Sequence, residues 1–218
     1  MAHKAGFVNI IGNPNVGKST LMNAFVGEKL SIITSKAQTT RHRILGIVNG
    51  DDFQVILSDT PGIIKPAYEL QTSMMDFVKS AFEDADVLLY MVEIGEKALK
   101  DEAFFKKIQN SKIPVLLLLN KIDTSDQAQL EEQMAYWQEQ LPQAEIHPIS
   151  ALENFNVKEV FERILDLLPE APPYYPKDQL TDKPERFFVN ETIREKILLN
   201  YKKEIPYAVE VETEEFLE

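Results

Sequence analysis

Residues 12–20 read GNPNVGKST, with glycines at 12 and 17 followed by Lys18 and Ser19, which fits G-x-x-x-x-G-K-[ST]. Glycines at these positions let the backbone N–H groups of Asn13, Asn15, Val16 and Gly17 converge on an anion with no Cβ in the way. Lys18 adds a positive charge. The hydroxyl of Ser19, next to Thr20, is a hard oxygen suited to Mg²⁺. A helix opening near Ser19 contributes the partial positive charge of its N-terminus. The chemistry is capture of a polyphosphate with its divalent ion. The competing reading, a glycine turn with a solvated lysine, does not explain why the motif stands between a strand-like and a helix-like segment.

Two further constellations complete a site. In DTPG (59–62), Asp59 can hold Mg²⁺ through water, and the Gly62 N–H can meet a γ-phosphate. Upstream lie Thr39 and Thr40. A threonine there completes the Mg²⁺ shell only when a γ-phosphate is present; Thr40 is the favoured residue, although spacing does not separate the two. In NKID (120–123), the Asp123 carboxylate can accept from both N1–H and the 2-amino group of guanine, whereas adenine offers no such pair. Asn120 can tie neighbouring loops together or reach the base, and the Lys121 stem can cover its face. In SAL (Ser150, Ala151, Leu152), a backbone N–H near Ala151 can donate to the guanine 6-oxo group. The base is therefore guanine.

These loops must be positioned by a scaffold. Apolar, β-rich runs at 7–11, 44–48, 53–57, 87–92, 115–119 and 146–149 alternate with helix-period segments at 19–26, 71–82, 101–109, 126–140 and 157–168. Such alternation predicts an α/β fold with a mostly parallel sheet and helices on both faces. Asn49-Gly50 between two runs predicts one antiparallel hairpin. The motifs fall at carboxyl ends of strands, where open α/β sheets bind ligands.

Prolines at 169, 172, 173 and 176 predict an extended connector. Beyond it, residues 186–201 have helical spacing, with Phe188, Ile193, Ile197 and Tyr201 expected inward and charged residues such as Glu191, Arg194 and Glu195 outward. Residues 206–216 alternate like a strand. One helix and one strand cannot bury a core, so this part is expected to be cut short. The expected division is a G domain at 1–168, a linker at 169–184 and a partial domain at 185–218.

Composition bounds the function. Net charge is −12, which excludes a general nucleic-acid coat. KAQTTRHR (36–43) is the one basic patch. No cysteine is present, so there is no disulfide framework or thiolate metal site. The apolar run 114–119 is too short to span a bilayer, and the N-terminus reads as strand entry rather than a signal peptide. His3, His42 and His147 are too scattered for a metal centre. His147 is expected as a satisfied core or edge histidine, His42 in a solvated loop, residues 93–102 as a solvated loop and helix start, and Trp137 in packing.

The ordered set GNPNVGKS, TT, DTPG, NKID and SAL resembles the Ras-like GTPase superfamily. KAQTTRHRI, DTPGI and the tail RFF…ETIREKI…PY are similar to the Era family, bacterial P-loop GTPases with an N-terminal G domain and a C-terminal K homology RNA-binding domain. The resemblance runs from about residue 7 to the chain end. It implies hydrolysis of GTP to GDP and phosphate with Mg²⁺, at slow intrinsic turnover, and a switch role in small ribosomal subunit assembly through ribosomal RNA. It also implies a cytoplasmic monomer and admits peripheral association with the inner face of the cell membrane. One departure stands out. No G-x-x-G loop follows residue 184, and residues 171–218 carry 11 acidic against 7 basic side chains. RNA affinity of this chain is expected to be weak or absent.

Ile63 follows DTPG where many such switches hold a polar, water-orienting side chain. It can neither donate nor accept, and the family pattern is also hydrophobic there, so it is expected to pack away from the phosphates. Relatives with asparagine at the position of Asn15 use it to hold a monovalent ion. K⁺, with Asn15 among its ligands, is an expected cofactor; the alternative is that Asn15 only shapes the turn. Lys18, Thr40, Gly62 and Asn15 are thus the expected catalytic group, and Ser19, Thr40 and Asp59 the metal group. Two other functions stay open: a GTP-dependent interaction module with negligible hydrolysis, and an ATP-dependent kinase, against which Asp123 argues.

Overall fold

A computed structural model describes residues 2–36, 38–202 and 209–215. Its centre is a six-stranded sheet in the order β2-β3-β1-β4-β5-β6. The strands are β1 (Lys4–Gly12), β2 (Ile44–Asn49), β3 (Phe53–Asp59), β4 (Val87–Glu93), β5 (Val115–Asn120) and β6 (Glu145–Pro148). Only the β2–β3 pair is antiparallel, closed at the Asn49-Gly50 turn. The helices are α1 (Lys18–Val26), α2 (Glu69–Glu83), α3 (Glu102–Gln109), α4 (Gln127–Gln140), α5 (Val157–Leu167) and α6 (Glu185–Asn200).

The continuous apolar run of β5 has a simple cause. Leu116 and Leu118 enter a core shared with α1 and α5, while Val115, Leu117 and Leu119 enter a second core shared with α2, α3 and α4. A strand covered on both faces needs apolar residues at every position. Trp137, fully buried on α4, stacks edge-on against Tyr90 with ring centroids 5.7 Å apart, in keeping with the packing role expected of it.

Several expectations change. Residues 93–102 are the expected loop and helix start, with Gly95, Lys97, Ala98 and Lys100 exposed, but Leu99 is buried and Glu96 bonds the Asn13 side chain beneath the phosphate loop. His42 is exposed, as expected, though its ring meets Phe77 of α2 and Phe187 of α6 with centroids 6.1 and 6.0 Å away, and partial burial lowers its pKa. The basic patch at 36–43 is largely spent inside the fold. Lys36 bonds the backbone carbonyls of Leu198 and Tyr201, Arg41 that of Val209, and Arg43 the Asp84 carboxylate. His147 sits on edge strand β6, 3.7 Å from Glu145.

The helix after the prolines is only partly as expected. Phe188 and Ile197 are half-buried and Leu198 is buried, but Ile193 and Tyr201 are exposed, and Glu191, Arg194 and Glu195 are buried rather than outward. The surface beneath offers backbone groups and a lysine, so a charged face is the complementary one. Residues 209–215 form no strand; the rest of the expected strand at 206–216 lies outside the described residues.

The proline-rich stretch runs extended along the domain. Ala5 N–H donates to Pro169 O, and Ala171 N–H to His3 O. Further on, Ile47 N–H donates to Leu180 O at 2.8 Å and Leu45 N–H to Asp182 Oδ1 at 2.9 Å, which covers the open edge of β2. Fully buried Gln54 is the anchor. Its Oε1 accepts from Tyr174 N–H and Tyr175 N–H, and its Nε2 donates to Tyr175 O and Asn49 Oδ1. Gln54→Ala orphans these groups, at about 1–3 kcal/mol each where they stay buried. Faster proteolytic cleavage within residues 171–178 is expected; an unchanged rate would show that the stretch is held elsewhere.

Candidate functional site

At the carboxyl ends of β1, β3 and β5 lies a cavity of about 560 Å³. It is walled by the phosphate loop, the segment after α1, and the loops that follow β5 and β6.

The phosphate loop leaves β1 at Gly12 and enters α1 at Gly17, whose φ of 105° favours glycine. A Cβ at Gly17 would lie 2.3 Å from Asn120 Nδ2, so this glycine also makes room for a neighbour. Asn13 is buried, its amide donating to Ala98 O at 2.9 Å and its Oδ1 accepting from Lys100 N–H at 3.0 Å. Val16 packs into the core. The side chains of Asn13 and Val16 therefore set the loop from beneath, while Asn15, Gly17, Lys18, Ser19 and Thr20 line the cavity. Lys18 Nζ donates to Gly12 O and Asn13 O at 3.2 and 2.9 Å. Burial lowers its pKa to about 8, against the pull of Asp59 and Glu96.

Ser19, Thr40 and Asp59 converge. Ser19 Oγ donates to Asp59 Oδ2 at 2.7 Å and lies 3.1 Å from Thr40 Oγ1, which is 3.5 Å from the same carboxylate oxygen. Burial raises the Asp59 pKa, and its Oδ1 has no hydrogen-bond partner among the described residues. Two hydroxyls around a buried carboxylate with an unsatisfied oxygen form a hard donor set, which fits Mg²⁺. The Thr39 hydroxyl is otherwise engaged: its Oγ1 bonds Thr34 Oγ1 and Lys36 O, both at 2.7 Å. The structure thus separates two threonines that spacing left together.

Gly62 lies against the phosphate loop, since a Cβ there would fall 2.6 Å from Pro14 N and Cα. Ile63 N–H donates to Gly12 O at 3.0 Å, and its side chain is fully buried beside Met74, Met75 and Val78. It points away from the cavity.

On the base side, Asn120 is the brace. Its Nδ2 donates to Val16 O at 2.7 Å, and its Oδ1 accepts from Ala151 N–H at 2.9 Å. Of the two roles open to it, tying loops together is the one seen. Ala151 N–H is correspondingly engaged, so its expected contact with a 6-oxo group requires sharing that donor. Ser150 Oγ donates to Asp123 Oδ1 at 2.5 Å, and Lys121 pairs with Glu93. Asp123 and Leu152 are exposed at the cavity. Sequence reasoning missed the wall formed by Ile32, Ile33, Thr34, Ser35 and Gln38; only the length of the loop between α1 and β2 hinted at it.

Fold and site together define a P-loop guanine-nucleotide-binding protein. A family model described as 50S ribosome-binding GTPase matches residues 7–121. GTPase Era of Staphylococcus haemolyticus (strain JCSC1435) is 44% identical over 216 residues, covering 99% of this chain and 72% of that protein. The structure of Era with MgGDPNP and nucleotides 1506–1542 of 16S ribosomal RNA matches with a TM-score of 0.89 and 39% identity, over 94% of this chain and 70% of that one. An Aquifex aeolicus Era variant bound to GDP·AlF4⁻ matches with a TM-score of 0.88 and 40% identity, over 93% and 70%. The chain belongs to the Era family of GTPases, which makes it a GTP-binding hydrolase.

The contact between Gly62 and Pro14 gives a prediction. Gly62→Ala should hold the 59–62 loop off the phosphate loop, leaving GDP affinity within about twofold and weakening a non-hydrolysable GTP analogue about tenfold or more. Equal titration curves for wild type and variant would exclude Gly62 from γ-phosphate contact.

Proposed function

We propose that this GTPase acts as a switch in small ribosomal subunit assembly, reading its state through the γ-phosphate of GTP. Identity with the Era family over nearly the whole chain carries this reading. It is supported by a relative of 39% identity that was seen with 16S ribosomal RNA. The description of the family model, which names the 50S subunit, favours a second reading, but that match covers only residues 7–121. Depleting the protein in its host and running ribosome profiles separates the two. Loss of small subunits with retention of their RNA precursors is expected; a defect confined to large subunits would reverse the assignment.

The proposed roles follow from the geometry. Phosphate-loop N–H groups and Lys18 hold the β- and γ-phosphates, Asp123 reads the guanine, and Asn120 keeps the two loops at fixed separation. Ser19, Thr40 and Asp59 would hold Mg²⁺, which when bound neutralises charge on the phosphate oxygens. Thr40 and Gly62 distinguish triphosphate from diphosphate. With Ile63 in the core, no side chain at that position orients water. Backbone groups of the loops take that part, and catalysis rests on positioning and electrostatics.

Asn15 is proposed as a K⁺ ligand. It has a φ of 66°, and its Nδ2 donates to Ser35 O at 3.0 Å, which places its amide beside a carbonyl-bearing loop at the mouth of the site. Turnover should rise in K⁺ over Na⁺, and Asn15→Ala should erase the difference; identical rates in both salts would remove the ion from the mechanism.

RNA affinity of these 218 residues is proposed to be weak, because the basic side chains at 36–43 are engaged internally and the C-terminal part is acidic. Filter binding to the 3′ segment of 16S RNA should detect no tight, specific complex; a nanomolar one would contradict this. A cytoplasmic location is proposed, and no helix among the described residues is long and apolar enough to cross a membrane.

A further inference from the structure

Helix α6 lies across the segment that carries Thr40, and it does so with its charged face. We infer that Arg194 is a positioning residue for the nucleotide site, holding the 39–40 peptide so that Thr40 faces Ser19 and Asp59. This rests on the reading of Thr40 as the residue that senses the metal and γ-phosphate.

The geometry is specific. Arg194 is 3% exposed. Its Nη2 donates to the Thr39 carbonyl at 2.5 Å, while Nε and Nη2 grip the two Glu191 oxygens at 2.7 and 2.6 Å. The peptide bond is planar, so fixing the Thr39 oxygen fixes the plane from which Thr40 starts. Thr40 Oγ1 then sits 3.1 Å from Ser19 Oγ. The Thr39 side chain, tied to Thr34 and Lys36, prevents the segment from turning over.

Two more side chains bind α6 to the same segment. Glu195 accepts from Ile33 N–H at 3.2 Å and pairs with Lys29 at 2.6 Å. Lys36 caps the C-terminal carbonyls of Leu198 and Tyr201. An arginine–glutamate pair is a poor means of simply docking a helix, because desolvation offsets its attraction. The apolar side chains Val189, Ile193 and Leu199 are left exposed instead. A polar face is needed where the helix must hold backbone N–H and C=O groups that no regular structure satisfies. Docking of α6 and engagement of Thr40 therefore share one equilibrium, and whatever favours one favours the other.

The test uses the whole chain, titrated with GDP and with a non-hydrolysable GTP analogue in Mg²⁺, with melting curves alongside. Arg194→Ala should weaken the triphosphate about tenfold and raise the Mg²⁺ concentration it needs, with GDP affinity unchanged. Arg194→Lys, which can reach the carbonyl but cannot grip Glu191 at two points, should recover part of the loss. Arg186→Ala, an equal charge change on the exposed side of α6, should do nothing. Should Arg194→Ala fail to fold, Glu191→Gln, which loosens the guanidinium and conserves shape, carries the same expectation. Equal loss for both nucleotides would reduce α6 to structural docking and overturn the inference, as would no loss at all. If Thr40→Ala itself spares the triphosphate preference, the reading of Thr40 fails instead, and the two failures are distinct.

Discussion

The nucleotide site hangs on one buried carboxamide. Asn120 donates to the carbonyl of Val16 and accepts from the N–H of Ala151, so one planar group spans the phosphate loop and the base loop. Both loops lack regular backbone pairing at these points, and a buried backbone group without a partner is costly. Gly17 yields the space this amide occupies. The distance between the proposed phosphate cradle and the proposed base contact is thereby set by two hydrogen bonds to one planar amide.

Around this centre the proposed metal side is built from parts tied to distant stretches of the chain. Ser19 is anchored on α1 and Asp59 on β3, whereas Thr40 arrives on a segment whose partners lie far along the chain. Lys29, Ile33, Lys36 and Thr39 all meet α6. Burial raises the pKa of Asp59 and lowers that of Lys18. The two unlike charges thus sit in a medium that penalises each alone, and a magnesium-bound polyphosphate would complement both.

Much of the fold was legible because its physics is local or periodic. The apolar run at 115–119 shows that β5 is covered on both faces, and Asn49-Gly50 carries the hairpin. Glycine spacing at 12 and 17 marks the phosphate loop before any coordinate is known. What escaped depends on long-range partners. Helical spacing showed that α6 has an apolar side, but not that Glu191, Arg194 and Glu195 are buried beside it, since the surface awaiting them is made of backbone groups and Lys29. His42 reads as solvated and is exposed, but spacing does not reveal that Phe77 and Phe187, from two distant helices, meet its ring. The charges at 36–43 read as an open patch because their partners, Asp84 and the 198–209 region, lie about 40 to 170 residues away in sequence. Ile63 was legible for the opposite reason: a side chain that can neither donate nor accept gains nothing beside a phosphate site, and the core is close at hand.

The strap that follows α5 sits on the outermost strand, its Leu180 and Asp182 meeting the N–H groups of Ile47 and Leu45. A version of the protein ending at residue 168 would keep every nucleotide-binding motif yet present a bare ladder of donors and acceptors. Two such molecules could zip together along that rim. The composition break at the prolines is thus a hazardous place to divide the gene for a minimal version. Extending the piece through residue 184 would keep the rim sheathed.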